Sequence, residues 1–239
     1  MVEGLGMTRL SISLILISGL ALAGCSGGDK RSQTGSPLLQ AGTAVLGAVK
    51  SRRAGKGAVP TRVIVTRKLL DETPGEVMQV IPDKTGLQDF MFIAGRRSDS
   101  YPGTVEVWRS SDGAHLILRN GVLIATKGLG GDMRSADARA AIAGFDGRGG
   151  GGERLITLDR QDGSAQAVPF ACDMTQLGRE TIQIVDQRVS TYRVREDCSY
   201  RDTSFTNEYW VETSGGRMRK SRQWAGPIFG YVAFERLKN

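Results

Sequence analysis

The sequence has little of what most catalytic and metal sites need. Histidine occurs once, at His115, and none of the three cysteines lies in a Cys-x-x-Cys pair. A zinc site takes several Cys, His or carboxylate ligands, and a Ser-His-Asp or Cys-His arrangement would have to be built around His115 alone. The carboxylates are scattered, so no acid-base pair stands out. We therefore predict no catalytic residue, no metal site and no cofactor.

A glycine-rich run is the one sequence that imitates a cofactor motif. Gly147-Arg-Gly149-Gly-Gly-Gly152 satisfies G-x-G-x-x-G. A dinucleotide site needs a strand before this motif and a helix after it. Here the strand-like residues 154–158 follow, so we predict a surface loop.

The chain also lacks an apolar run long enough for a comfortable membrane-spanning helix, which needs about 20 residues. Its longest uncharged apolar run, Leu10 to Ala23, follows Arg9 and is typical of a signal peptide. An acidic residue such as Glu3 is unusual in such a segment, and a start at Met7 would leave it out. The start of translation is therefore either Met1 or Met7.

The residues that end this run predict a lipid anchor. Leu22-Ala23-Gly24-Cys25 is similar to a bacterial lipobox, in which diacylglycerol is attached to the cysteine thiol and a further acyl chain, such as palmitate, to its amine. Residues 1–24 are then a signal peptide, and two or more acyl chains make a lasting anchor. Ser26 in place of Asp favours the outer membrane, with the protein facing the periplasm. The alternative is an ordinary secretory signal followed by an incidental cysteine.

Charge and composition describe the exported part. The net charge is +7, which for an exported chain indicates anionic lipid headgroups or acidic glycans rather than nucleic acid. Residues 25–35 are a polar tether that carries the lipid, and residues 36–239 form a single β-rich domain. Within it, Ser36-Pro37 begins a short amphipathic helix that ends near Lys50.

The other two cysteines lie in an oxidising compartment. Cys172 and Cys198 are therefore predicted to pair. Closing the loop between Cys172 and Cys198 would stabilise the fold by about 3.5 kcal/mol on the chain-entropy account. The alternative, a metal site, lacks further ligands.

From Thr61 onward, short apolar segments alternate with turn signals, which is typical of an antiparallel sheet. We expect a mainly β fold, either a β-barrel-like or a strongly curved sheet, with one or two short helices, one of them at 135–143. Asn120-Gly121 between apolar runs is a strong hairpin signal. The predicted strands are 62–66, 76–81, 87–94, 104–109, 114–119, 122–126, 153–159, 165–171, 180–186, 189–195, 205–212, 216–224 and 229–236.

One basic cluster offers a candidate binding surface. Arg217, Arg219, Lys220 and Arg222 precede Trp224. These arginines could bind an acidic polysaccharide, lipid headgroups or a partner, with Trp224 stacking on a sugar ring. The alternative is an edge strand whose charges prevent aggregation.

An ordered set of turn and strand motifs resembles a known family. The set comprises the lipobox, residues 108–113, Asn120-Gly121 followed by 126–129, and residues 221–227. It resembles the YjbF/GfcB (YmcC-like) lipoprotein family over roughly residues 60–236. The resemblance implies an outer-membrane lipoprotein of exopolysaccharide or group 4 capsule clusters, with a β-barrel-like fold and no assigned enzymatic activity. It also implies a partner, an outer-membrane β-barrel protein of the same cluster.

Three functions follow, in order of preference. The first is a non-enzymatic accessory factor in exopolysaccharide or capsule export, which would have a groove containing Trp224 and the arginines. The second is a lipid or lipoprotein carrier, which needs a continuous apolar cavity. The third is a polysaccharide-modifying hydrolase, in which two carboxylates meet in a cleft and at least one has a strongly shifted pKa.

Overall fold

A computed structural model of the chain describes residues 63–146 and 150–238. The predicted signal peptide, the predicted lipidation site Cys25, the predicted tether and the helix predicted at 36–50 lie outside these residues. So do Gly147 to Gly149 of the glycine-rich run.

Most of the described chain is strand, because short runs rich in Val, Ile and aromatic residues alternate with turn residues. The sheet has twelve strands. They are β1 Val77–Pro82, β2 Asp89–Arg97, β3 Val105–Ser110, β4 His115–Arg119, β5 Val122–Lys127, β6 Met133–Ala136, β7 Gly150–Asp159, β8 Ala165–Ile184, β9 Gln187–Tyr200, β10 Thr203–Glu212, β11 Met218–Trp224 and β12 Tyr231–Lys238.

These strands form one antiparallel, nearly closed barrel. Strands neighbouring in sequence pair in turn, apart from β5 and β6, and β1 pairs with β12. Where β5 and β6 meet, the Met133 N–H donates to Thr126 Oγ1 at 2.9 Å, and Thr126 Oγ1 donates to Asp132 at 2.9 Å. The predicted fold class, mainly β and barrel-like, is confirmed.

Two short helices accompany the sheet in the described residues. Helix α1 spans Arg67–Glu72, and Thr66 caps it by accepting a hydrogen bond from the Leu69 N–H. Helix α2 spans Arg139–Ala143, so the helix predicted at 135–143 begins later than expected, and residues 135–136 belong to β6. The strand predicted at 62–66 is wrong, since residues 63–66 are in no strand and lead into α1.

The Asn120-Gly121 turn is confirmed, whereas a break predicted in a later strand is wrong. Asn120 and Gly121 both have positive φ, 46° and 86°, as a tight turn between β4 and β5 requires. The strands predicted at 165–171 and 180–186 are instead one continuous strand, β8. Gly178, at φ 106°, lies at a bulge within β8 rather than in a turn.

The barrel interior is packed with side chains. Trp108, Leu118 and Phe170 are among its fully buried residues, and Phe205 stacks on Trp224 with ring centroids 4.6 Å apart. Along β10, Phe205, Tyr209 and Val211 are buried on the predicted face.

A second apolar layer covers the other face of β1 and β2. There Leu70 of α1 packs with Val77 and Phe90. Ile182 and Ile184, near the end of β8, belong to the same cluster. Burial of these side chains fixes α1 against the barrel.

Candidate functional site

Two cavities open at opposite ends of β1, β2, β3, β4 and β12. One, the arginine pocket, has a volume of about 390 Å³ and is lined by Glu76, Arg96, Thr104, Glu106, Asn120, Gly215, Gly216, Arg217, Met218 and Arg236. The other, the acidic pocket, has a volume of about 360 Å³ and is lined by Val80, Pro82, Thr85, Leu87, Gln88, Asp89, Met91, Ser110, Asp112, Ala114, Leu116, Gly128, Leu129, Gly130, Phe229 and Val232.

Alternating charges form the wall of the arginine pocket. Arg96 Nη2 lies 2.5 Å from Glu76 Oε2 and 3.1 Å from Glu106 Oε1. Arg236 pairs with Glu106 through both of its terminal nitrogens. Burial raises the pKa of Glu106, but the hydrogen bonds and charges of Arg236 and Arg96 outweigh it, so the pKa lies below its usual value.

Arg217 adds an unpaired positive charge to this pocket. The β10–β11 turn holds it there, since the Glu212 N–H donates to the Arg217 carbonyl at 2.8 Å. Arg217 is exposed, and no carboxylate in residues 63–146 or 150–238 forms an ion pair with it. A guanidinium in this state can bind an incoming carboxylate or phosphate through two hydrogen bonds.

Asp89 and Asp112 distinguish the acidic pocket. Burial raises the pKa of Asp89 to about 6; the Phe90 N–H opposes this rise, and the charge of Asp112 adds to it. Asp112 is exposed and accepts hydrogen bonds from Ser110 Oγ and, at 3.4 Å, from the Ala114 N–H. Most of the remaining lining is apolar.

Comparison with known proteins places the chain in a family. Residues 42–237 match the family described as "Group 4 capsule polysaccharide lipoprotein gfcB, YjbF". The chain belongs to the YjbF family. The crystal structure of the hypothetical lipoprotein YmcC from Escherichia coli K12 is similar, with a TM-score of 0.61 and 22% identity over 74% of this chain and 90% of that chain. This similarity shows a shared fold. No curated protein matches the chain.

No helix in the described part of this YjbF-family chain is long and apolar enough to cross a membrane.

The structure separates the predicted binding residues of this YjbF-family barrel. Only Arg217 lines the arginine pocket. Arg219 is buried, with Nη1 3.5 Å from Glu212, and Arg222 donates to Asp83 while its guanidinium lies 3.9 Å from the Tyr231 ring centroid.

Trp224 does not lie in the expected groove. It is 8% exposed, stacks on Phe205 and meets Phe170 edge to face. Stacking on a sugar would require a ring surface that these core residues already contact. The groove that we expected to hold Trp224 together with the arginines is therefore not formed.

The paired cysteines and the described part of the glycine-rich run lie within strands of the barrel. Cys172 and Cys198 form a disulfide between facing residues of β8 and β9. Glu196 lies close to both cysteines, but bonded sulfurs offer no thiolate to a metal. Gly150 to Gly152 belong to β7 rather than to a surface loop, because they pair with residues 172–174.

A buried polar network escaped the sequence analysis. Glu196 Oε2 accepts hydrogen bonds from Arg154 Nη1 at 2.6 Å, Tyr209 Oη at 2.6 Å and Asn207 Nδ2 at 2.7 Å. Burial, together with the charge of Glu196, raises the pKa of Tyr209 well above its usual value. Arg154 and Glu196 are 2% and 0% exposed, so this is a core network and not an open site.

These positions bear on the other two candidate functions. A lipid carrier needs a continuous apolar cavity, whereas the described interior is filled by Trp108 and Phe170 and crossed by the Arg154–Glu196 pair. A hydrolase needs two carboxylates in one cleft, one of them with a shifted pKa. Asp89 and Asp112 meet that description in part.

Asp89→Asn is expected to stabilise the fold at neutral pH. A carboxyl whose pKa rises from 3.8 to about 6 on folding lowers native stability at pH 7 by about 2 to 3 kcal/mol. Between pH 3.8 and about 6 the native state binds more protons than the unfolded state. Wild-type stability therefore falls as the pH rises through this range. Denaturant unfolding should show the gain at pH 7 and none at pH 3, where both states are protonated.

Asp71→Asn is the matched control, because Asp71 is exposed on α1. It should leave the free energy of unfolding within about 0.5 kcal/mol of wild type. Equal stability of Asp89→Asn and wild type at pH 7 would contradict the burial of a charged Asp89.

Proposed function

We propose that this chain is a lipid-anchored, non-enzymatic accessory factor in exopolysaccharide or capsule production. Lipidation of Cys25 holds it on the outer membrane, where the barrel faces the periplasm and meets the polysaccharide during export. Membership of a family described as capsule polysaccharide lipoproteins supports this role.

The observation that carries the proposal is the unpaired guanidinium of Arg217 in the arginine pocket. Arg96 and Arg236 line the same cavity, where Glu76 and Glu106 balance their charges. Thr104 and Asn120 add hydrogen-bonding groups to the lining. A segment of acidic polysaccharide can place a carboxylate on Arg217 and hydroxyl groups on these neighbours.

Anchoring favours this binding. A lipid anchor confines the barrel to the membrane surface, where weak contacts along a repeating polymer add up through effective concentration. An outer-membrane β-barrel protein of the same cluster is the partner that would receive the polymer. In this account the chain holds the polysaccharide without changing it.

Arg217→Glu is expected to weaken the binding of an acidic polysaccharide about tenfold or more. A hydrogen bond to a charged group contributes about 1.5 to 3 kcal/mol, and reversal of the charge adds repulsion. The measurement is titration of the full lipidated chain in detergent with polygalacturonate as the acidic polymer and dextran as the neutral one. Wild-type affinity should also fall with added salt.

Arg160→Glu is the matched control. Arg160 is exposed in the β7–β8 turn and does not line the arginine pocket. It undergoes the same change of charge and should keep wild-type affinity for polygalacturonate. Equal weakening by both variants would mean that overall charge, and not the arginine pocket, governs binding.

A further inference from the structure

The acidic pocket is separate from the arginine pocket and differs from it in charge. The ionisable side chains in its lining are Asp89 and Asp112, and no basic side chain among the described residues lines it. The chain as a whole has a net charge of +7. The volume of the acidic pocket, about 360 Å³, lies within the range of small-molecule sites. Such sites are mostly apolar and have a few polar groups that orient the ligand.

Asp89 is poorly compensated in this pocket. Its hydrogen bond within the described residues comes from the Phe90 N–H, at 2.7 Å. The neighbouring Gln88 amide is already engaged, since its oxygen accepts from the Val63 N–H at 3.0 Å and its nitrogen donates to Gln79 at 2.5 Å. A half-buried carboxylate without a cation is costly, and an ammonium group would offset that cost.

The rest of the lining suits a compact ring. Leu129, Phe229 and Val232 provide apolar surface across the pocket. Asp112 lies at the exposed rim, where it can receive a second polar group. A ligand with one ammonium group and one apolar face therefore matches both parts of the cavity.

We infer that the acidic pocket binds an amino sugar, with the sugar's ammonium group on Asp89, its hydroxyl groups towards Asp112, and its C–H face on Phe229 and Leu129. The ammonium part of this inference depends on the pocket alone. The sugar part rests on the proposed function, because a polysaccharide lipoprotein meets saccharides.

The test is titration of the full lipidated chain in detergent at pH 7 with three probes: glucosamine, glucose and cyclohexylamine. Glucosamine should bind at least tenfold more tightly than glucose, which lacks the ammonium group, and more tightly than cyclohexylamine, which lacks the hydroxyls. Asp89→Asn should weaken glucosamine binding about tenfold or more, whereas Asp71→Asn should leave it unchanged.

The dependence on pH provides a second readout. Asp89 has a pKa of about 6, so at pH 5 most of it is protonated and affinity for cyclohexylamine should fall about tenfold from its value at pH 7. Asp112, on the β3–β4 turn, is the other ionisable group facing it. The lining from β1, the β5–β6 loop and β12 consists of uncharged side chains.

Each outcome decides a part of the inference. Equal binding of glucose and glucosamine, or wild-type affinity in Asp89→Asn, would overturn it. Tighter binding of cyclohexylamine than of glucosamine would overturn the sugar part. Cleavage of a glycan that depends on Asp89 would replace binding with hydrolysis. Arg217→Glu should leave glucosamine binding intact, which separates this test from that of the proposed function.

Discussion

Glu196→Ala is expected to lower the free energy of unfolding by about 3 to 5 kcal/mol, because it leaves a buried guanidinium without its counter-ion. Arg154 is 2% exposed, and its Nη1 lies 2.6 Å from Glu196 Oε2. Tyr209 and Asn207 would lose the same acceptor. Urea unfolding followed by tryptophan fluorescence measures the difference.

Two comparisons make this result specific. Glu153→Ala removes an exposed carboxylate from the same strand as Arg154 and should change stability by less than about 0.5 kcal/mol. The double change Arg154→Met with Glu196→Leu removes both charges and should recover most of the loss, since a buried ion pair can be replaced by apolar groups. A loss below about 1 kcal/mol for Glu196→Ala would contradict the network's role.

Arg154 of this network also contacts β5, the strand that does not pair with β6. Arg154 Nη2 donates to the Leu123 carbonyl at 2.9 Å, and Gln223 accepts from the Leu123 N–H at 2.8 Å. Gln223 also donates to the Gly121 carbonyl at 2.7 Å. Side chains from β7 and β11 thus satisfy backbone groups of β5 and of the turn before it, which would be costly to bury without partners.

Local signals were enough to predict most strands of the sheet. The apolar alternation in β10 and the turn residues Asn120-Gly121 depend on neighbours in sequence, and the structure has them as predicted. Strand β6 was missed because its four residues carry no alternating pattern and precede an alanine-rich run. Ser135 and Ala136 become strand through pairing with β7, which is a tertiary effect.

The candidate sites were less accessible to sequence analysis. Arg217 was found because it lies in a basic cluster, but Glu76, Arg96, Glu106 and Arg236 meet only through the pairing of β1 with β12 and of β2 with β3. No local pattern marks such an assembly.

Asp89 and Trp224 show the same limit. Nothing in the sequence distinguishes Asp89 from other strand-initial carboxylates, because its raised pKa arises from the burial around it. The basic residues beside Trp224 in the sequence predict a ligand surface. The stacking that buries Trp224 instead comes from Phe205 of β10.

Cys25→Ser is expected to abolish complementation of a deletion strain, the largest effect of any single change on function. The serine variant cannot accept lipid on sulfur, so the exported barrel would lose its lipid anchor. Its local concentration at the site of export would then fall, and with it any binding that depends on anchoring. Fractionation should find less of the variant protein than of the wild type in the outer membrane.

The most direct test is the amount of secreted and surface polysaccharide in that deletion strain, complemented by the wild type, Cys25→Ser, Arg217→Glu or Arg160→Glu. The account predicts that deletion lowers polysaccharide and that wild type and Arg160→Glu restore it, while Cys25→Ser and Arg217→Glu do not. Unchanged polysaccharide in the deletion strain, under conditions that express the cluster, would contradict the proposed role in capsule production.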